Sequence, residues 1–369
     1  MKLQDEVFWI ALTMIPGVGP VMAKHLVSYC GSAEEVFRQK KTKLMRIPGI
    51  GEKTAESIAA FHDFSEAEQE IVFAQKHKIK ILPYVHTDYP ERLKNCEDGP
   101  VVLYHLGETN LNAARILAIV GTRKNTDYGR AFTEQLLNEL QNSGCLIVSG
   151  MAYGIDIIAH KAALQNNLPT VGVMAHGLHT LYPSAHKSTA KKMIENGGGL
   201  LTEFRSTQNT DKENFPKRNR IVAGMCDATV VIETAFKGGA IITAELANDY
   251  NRDVFAVPGR ANDTMSEGCN QLIRKNKAAL IQSGADLLEM MGWQPANNKR
   301  TAKTSMLLNL TIEEQSIVNL FNGQPKLGID EISMRLESDS GTVALTLLDM
   351  EFKGIIRSLP GKYYQLSST

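Results

Sequence analysis

The sequence predicts an α/β fold: a Rossmann-like, doubly wound, mostly parallel sheet, with an N-terminal helix-hairpin-helix domain of the SAM-like kind and a C-terminal winged-helix domain. Three observations carry this prediction. From Arg115 onward, short apolar and β-branched runs alternate with helical patterns, and most runs end near glycine or small polar residues. That order of elements builds a doubly wound sheet. Nearer the start, Ile15-Pro-Gly-Val-Gly19 returns as Ile47-Pro-Gly-Ile-Gly51, each time between helical patterns. Past residue 305, three helix starts lead into a hairpin around Pro360-Gly361.

Residues 1–62 read as all helical. In each hairpin the glycines let the chain turn tightly and leave backbone N–H groups free at the start of the second helix, where a phosphate can dock. Gly17, Gly19 and Lys24 in the first copy, and Gly49, Gly51 and Lys53 in the second, are the residues through which the tandem would touch DNA. The same pattern also serves as a compact scaffold or docking surface, and both readings stay open.

Residues 63–291 form the extended Rossmann-like domain. Glu66–Lys78 reads as a helix, and Ile79–Val85 and Val101–Leu106 as β-strands that enlarge the sheet. Ile116–Val120 is a β-strand leaving through Gly121-Thr122-Arg123, and Cys145–Val148 another leaving through Ser149-Gly150. A helix through His160 and Leu164 leads to the β-strand Thr170–Met174, and a loop then reaches the helix Lys187–Glu195. Next comes the stretch around which the rest is organised. In Phe215-Pro-Lys-Arg-Asn-Arg220, the cations Lys217, Arg218 and Arg220 crowd around Asn219 just before an apolar turn. Ala228–Ile232 has the length and branching of a β-strand buried on both faces. Gly238 and Gly239 open a helix, and Asp253–Val257 is the following β-strand.

Sheets of this kind hold ligands at the carboxyl ends of their β-strands. Gly121, Ser149, Gly150, Gly154, Gly238 and Gly239 would allow close backbone approach to phosphate there. Arg123, Arg218 and Arg220 would supply bidentate phosphate contacts and stacking on bases. Asp156 and His160 are expected to brace a helix start. Glu203, Glu233 and Glu245 are expected to satisfy backbone N–H groups at β-strand and helix ends. The dinucleotide fingerprint is missing, since Gly121-Thr-Arg stands where Gly-x-Gly-x-x-Gly is needed. No Ser-His-Asp order, zinc signature or Walker loop occurs either.

Leu287, Leu288, Met290 and Met291 are dense for one short helix, as sheet cover or as an oligomer contact. Residues 292–305 read as a polar linker. In residues 306–369, Thr311-Ile-Glu-Glu314 is a capping box, Asp330 caps a second helix, and Val343–Phe352 is the third. That third helix is nearly bare of cations, which favours a protein contact over the DNA major groove.

Lysine plus arginine and aspartate plus glutamate both number 40, so no global field attracts a polyanion, and any such affinity is local. The five scattered cysteines form no Cys-x-x-Cys, which fits a reducing cytoplasm. No cofactor, metal or membrane association is expected.

Laid end to end, several pieces resemble the DNA-processing protein A (DprA, or Smf) family over nearly the whole chain. They are Ile119-Val-Gly-Thr-Arg123, Val148-Ser-Gly-Met-Ala-Tyr-Gly-Ile-Asp156 with His160, Tyr182-Pro183, Arg218-Asn-Arg-Ile-Val-Ala-Gly224, Ile242-Thr-Ala244, Phe255-Ala-Val-Pro-Gly259 and Gly268-x-Asn270. The resemblance implies a non-catalytic protein that binds single-stranded DNA, dimerises through its Rossmann-like domain and helps load the RecA recombinase in natural transformation. It implies that Gly121, Thr122, Arg123, Ser149, Gly150, Lys187, Lys217, Arg218, Asn219, Arg220, Gly238 and Gly239 border the DNA strand. It also suggests the Leu287 to Met291 helix as the dimer surface. Gly238 departs from the family's usual serine, and His186 from its asparagine. The alternative is an enzyme similar to nucleoside-monophosphate phosphoribohydrolases, because Lys237-Gly-Gly-x4-Ala-Glu245 loosely matches their glycine turn.

Overall fold

The computed structural model describes residues 3–293 and 310–366, apart from 322, 323, 325, 354 and 360. The described residues divide into two compact units after Trp293. The expected linker therefore lies, beyond Trp293, outside the described residues.

The first unit holds a nine-stranded sheet. Its β-strands are β1 (Ile79–Pro83), β2 (Val102–Gly107), β3 (Ile116–Gly121), β4 (Leu146–Gly150), β5 (Thr170–Val173), β6 (Gly199–Thr202), β7 (Ala228–Ile232), β8 (Asp253–Ala256) and β9 (Ala279–Leu280). They lie in the order β1-β2-β6-β5-β4-β3-β7-β8-β9. Pairing is antiparallel from β1 to β2 and from β2 to β6, and parallel everywhere else. This is the Rossmann-like sheet expected. Alternate residues of β3 explain its even hydrophobicity: Ala118 and Val120 enter the core on one face, Leu117 and Ile119 the core on the other. The winding reverses between β3 and β7, whose ends are matched at Gly121 and Ile232. That reversal opens a crevice at the carboxyl edge of the sheet.

The helical hairpins are near copies. Gly17 and Gly49 have φ of +82° and +83°, and Gly19 and Gly51 are extended N-caps of helices α1 (Pro20–Cys30) and α2 (Glu52–Ala59). This part shares one core with the sheet, since Leu12, Leu26 and Ile58 cluster with Ile79, Val102 and Tyr104.

Five helices frame the crevice and its flank: α3 (Asp127–Glu139), α4 (Ile155–Gln165), α5 (Lys187–Glu195), α6 (Asn214–Gly224) and α7 (Gly239–Asp249). Helix α6 corrects the sequence reading, which placed a turn after the basic cluster. Pro216 falls in the first helical turn, where a missing N–H costs nothing. Helix α8 (Gly284–Met290) carries the dense apolar run. Leu287 is 0% exposed and belongs to the core with Trp293, while Leu288 and Met291 pack partly against it. Leu288 and Met291 are half-buried and Met290 is 55% exposed, so Leu287 is the residue of the run that serves as cover for the sheet.

In the second unit, helices α9 (Ile312–Leu320), α10 (Ile329–Leu336) and α11 (Ser340–Phe352) accompany a three-stranded antiparallel sheet in the order β10 (Leu327–Gly328), β12 (Tyr363–Leu366), β11 (Ile356–Leu359). The expected capping box is present, with Thr311 and Glu314 bonded reciprocally. The sheet has one β-strand more than the hairpin read from sequence. Helix α11 leaves Leu345, Leu348 and Phe352 exposed on one face.

Candidate nucleic-acid interface

The crevice is a cleft of about 290 Å³ between the ends of β3 and β4, the start of α6 and the start of α7. The loop after β3 is fixed from below. The Thr122 amide donates to the Glu233 carbonyl at 2.7 Å, and the Glu233 carboxylate accepts from the Thr126 amide at 2.8 Å and from its hydroxyl. So Glu233 satisfies backbone, as its place after a β-strand suggested. Arg123 stands exposed above this loop with its guanidinium 5.0 Å from the centre of the Phe215 ring.

Arg218 forms the floor. It is 6% exposed, its Nη1 donates to the Val173 carbonyl at 2.7 Å, and its Nε–H has no partner among the described residues. Burial pulls its pKa down from the usual arginine value, with Asp156 opposing, but a guanidinium stays charged. Asp156, also buried, accepts from the Ala152 amide at 3.3 Å. Burial raises its pKa, and the nearby Arg218 works against that rise. His160 is held neutral, its pKa pushed down to about 4 by burial, and its Nε2 lies 2.7 Å from the Gly150 carbonyl. The bracing role expected of Asp156 and His160 is thus directed at the turn after β4.

Opposite Arg218, helix α7 starts at Gly239 with no side-chain cap. A Cβ on Gly239 would meet nothing within 4 Å, so the first turn is open to the cleft, with its partial positive charge. Asn219 lines the same cleft.

Of the other expected residues, Gly121, Thr122, Gly150 and Gly238 line the cleft, while Ser149 and Lys187 do not. Ser149 is fully buried, and its hydroxyl donates to the Ile119 carbonyl at 2.6 Å, so it cannot reach a ligand. A Cβ on Gly121 would lie 2.0 Å from the Ile232 carbonyl, one on Gly150 1.9 Å from Arg218, and one on Gly238 2.1 Å from the Thr234 hydroxyl. These glycines serve internal packing first. Lys187 is exposed at the start of α5 and does not line the cleft.

Lys217 and Arg220 leave Arg218 on a different side of the helix, Arg220 pointing about 200° and Lys217 about 100° away from it. Both line a different groove, with Val18, Gly19 and Pro20 of the first hairpin. There Arg220 ion-pairs with Glu203 and donates to the Asp98 carbonyl, so Glu203 serves a side chain instead of the expected backbone. Replacing Arg220 with alanine leaves the Glu203 carboxylate buried alone. Urea unfolding should show a loss of about 2 kcal/mol, with less effect on DNA affinity than alanine at Arg123.

Lys24 is also engaged. Its Nζ donates to the Cys96 and Glu97 carbonyls at 3.0 Å and sits 4.8 Å from the Tyr84 ring centre, tying α1 to the sheet domain. Gly49, Gly51 and Lys53 of the second hairpin remain exposed. Glu245 lies inside α7, not at its start, and pairs with Lys277 at 2.9 Å.

The sequence reading assigned no role to several aromatic residues that the fold gathers. Phe215 lines the cleft, and Tyr153, His176 and Tyr182 line a pocket adjoining it through Arg123 and Arg218. Aromatic residues beside cations were the available signal.

Residues 80–292 match the family described as DNA recombination-mediator protein A, and residues 10–61 match the SAM-like helix-hairpin-helix tandem. Protein Smf of Synechocystis is 30% identical over 398 residues, covering 99% of this chain and 100% of the relative. The X-ray structure of DNA processing protein A from Streptococcus pneumoniae aligns with a TM-score of 0.67 at 30% identity, over 78% of this chain and 98% of that one. DNA processing protein A from Helicobacter pylori, whose structure was described for its single-stranded DNA binding mode, aligns with a TM-score of 0.52 at 30% identity, over 58% and 95%. With these matches spanning both the helical tandem and the sheet, the chain belongs to the DNA recombination-mediator protein A (DprA/Smf) family.

Proposed function

We propose that the cleft between β3 and β7 holds single-stranded DNA, and that the protein is a non-catalytic recombination mediator. It would protect an incoming DNA strand and help load RecA during natural transformation, working as a homodimer. The observation that carries this reading is the cleft floor, where the buried Arg218 keeps an unpaired Nε–H opposite the uncapped start of α7. A buried donor and a helix N-terminus suit one phosphate. Arg123 over Phe215 adds a platform for a base, which a single strand can offer and a duplex cannot. The single-strand binding described for the Helicobacter pylori relative supports the same ligand.

The hydrolytic alternative needs a carboxylate on the nucleotide. Glu203, Glu233 and Glu245 are engaged with Arg220, Thr126 and Lys277 and none lines the cleft, whose one acid among the described residues, Asp156, is buried beside Arg218 and accepts from the Ala152 amide. This favours binding without turnover.

The test is a fluorescence titration of a labelled single strand and of its duplex at two salt concentrations. A salt-sensitive preference for the single strand is expected, and no binding to either form would sink the reading. Alanine at Arg123 should weaken single-strand binding about tenfold and lower the salt slope by about 0.7, as one lost phosphate contact does.

A further inference from the structure

The surface beside the cleft carries a second feature. Tyr153, exposed at the rim, lines both the pocket next to Arg218 and a groove of about 520 Å³ bordered by α3, α4 and the turn Ser184–His186. Ile157 and Ile158 lie in this groove, and Arg130 and Lys161 stand on its sides. Lys161 and Gln165 then border a further groove of about 450 Å³, where α4 meets α5 and Lys192. The two grooves run on from one another, and the first begins where the central site ends.

Their charge is uncompensated. Arg130, Lys161 and Lys192 are exposed, and among the described residues none of the three side chains makes an ion pair or hydrogen bond. Among the described residues, Glu134 is the single acid lining either groove. In a chain whose charges balance at 40 against 40, unpaired cations along one groove mark a local attraction for a polyanion.

We infer that this track over α4 carries the sugar–phosphate backbone of the same DNA strand beyond the central cleft. Arg130, Lys161 and Lys192 would neutralise successive phosphates, and the exposed Tyr153 ring would receive a base at the junction. Helix α4 has 11 residues, so it adds about 16 Å to the path. The inference rests on the reading that the central cleft holds single-stranded DNA. It adds a dependence on strand length that the cleft alone does not create.

The experiment compares labelled oligothymidylates of about 6 and about 20 nucleotides, lengths within and beyond one compact binding site. They are titrated at two salt concentrations against the full chain and the variant R130Q/K161Q/K192Q. The longer strand should bind the variant roughly 10- to 100-fold more weakly, with its salt slope reduced by about 2 for three lost phosphate contacts. The shorter strand should bind both proteins alike, which also shows that the variant is folded. As a second measurement, E134Q should tighten long-strand binding about twofold by removing the one acid. Unchanged affinity and slope for the longer strand would overturn the track while leaving the central site standing. Equal weakening at both lengths, with E134Q without effect, would overturn it too. If the wild type binds neither length, the track falls together with the reading it rests on.

Discussion

Alanine at Arg218 should abolish most single-strand binding, by about a hundredfold or more, and should also cost the fold about 3 kcal/mol at neutral pH. The two effects come from one buried guanidinium. In the cleft floor its buried Nε–H is left without a partner among the described residues, while its Nη1 satisfies the Val173 carbonyl. It also lowers the pKa of Asp156, which burial alone pushes up. Without the cation, Asp156 keeps the Ala152 amide, Ser149 and the charge of Arg123, and its pKa climbs further. A carboxyl whose folded pKa exceeds its unfolded value takes up a proton on folding. Stability then falls as pH rises from the unfolded pKa through the folded one. The variant should therefore lose less stability near pH ~4 than near pH ~7. Urea unfolding at both pH values measures this difference. Adding Asp156→Asn should recover about 1 to 2 kcal/mol at neutral pH and no DNA binding. A cost that is equal at both pH values would show that Arg218 and Asp156 are not coupled.

What the sequence made legible is what depends on neighbours along the chain. β-strands buried on both faces, glycine turns at their ends and the duplicated hairpin are local patterns, and the structure places them where they were expected. The direction of a side chain is not local in that sense. Lys217, Arg218 and Arg220 read along the chain as one cluster around Asn219, just before an apolar turn. Once Pro216 is seated in the first turn of α6, the same residues divide between two grooves. Lys24 has the spacing of a phosphate ligand, yet its acceptors lie 72 and 73 residues away. The apolar density near Leu287 suits an interface as well as a core, and it takes the packing against Trp293 to put Leu287 itself in the core. Arg123 and Phe215 illustrate the converse, a pairing across the fold that no spacing suggests.

Alanine at Gly154 should be the most damaging single methyl group that can be added near the cleft, costing about 4 kcal/mol. Gly154 has φ 79° and ψ −131°, a combination that residues with a Cβ rarely adopt. The added carbon would also lie 2.1 Å from the Thr122 carbonyl oxygen and 2.7 Å from the Arg123 backbone. Backbone cannot swing aside as a side chain does. That loop is held on its other flank by Glu233, and the Ile155 amide donates to the same Thr122 carbonyl at 3.1 Å. Relief must therefore come from displacing the loop that carries Arg123, which would take its guanidinium off Phe215. The expected result is a lowered unfolding midpoint together with weaker single-strand binding. Gly239→Ala is the control for adding a methyl group at the cleft. It meets open space at the start of α7, so stability should be retained while binding weakens. If Gly154→Ala unfolds like the wild type and still binds, the loop has room to move, and the close approach of α4 to Thr122 is not what positions Arg123. If it unfolds early but Gly239→Ala does not, the cleft rests on a rigid β3 loop, and its affinity depends on the backbone beneath Arg123 as well as on the arginine itself.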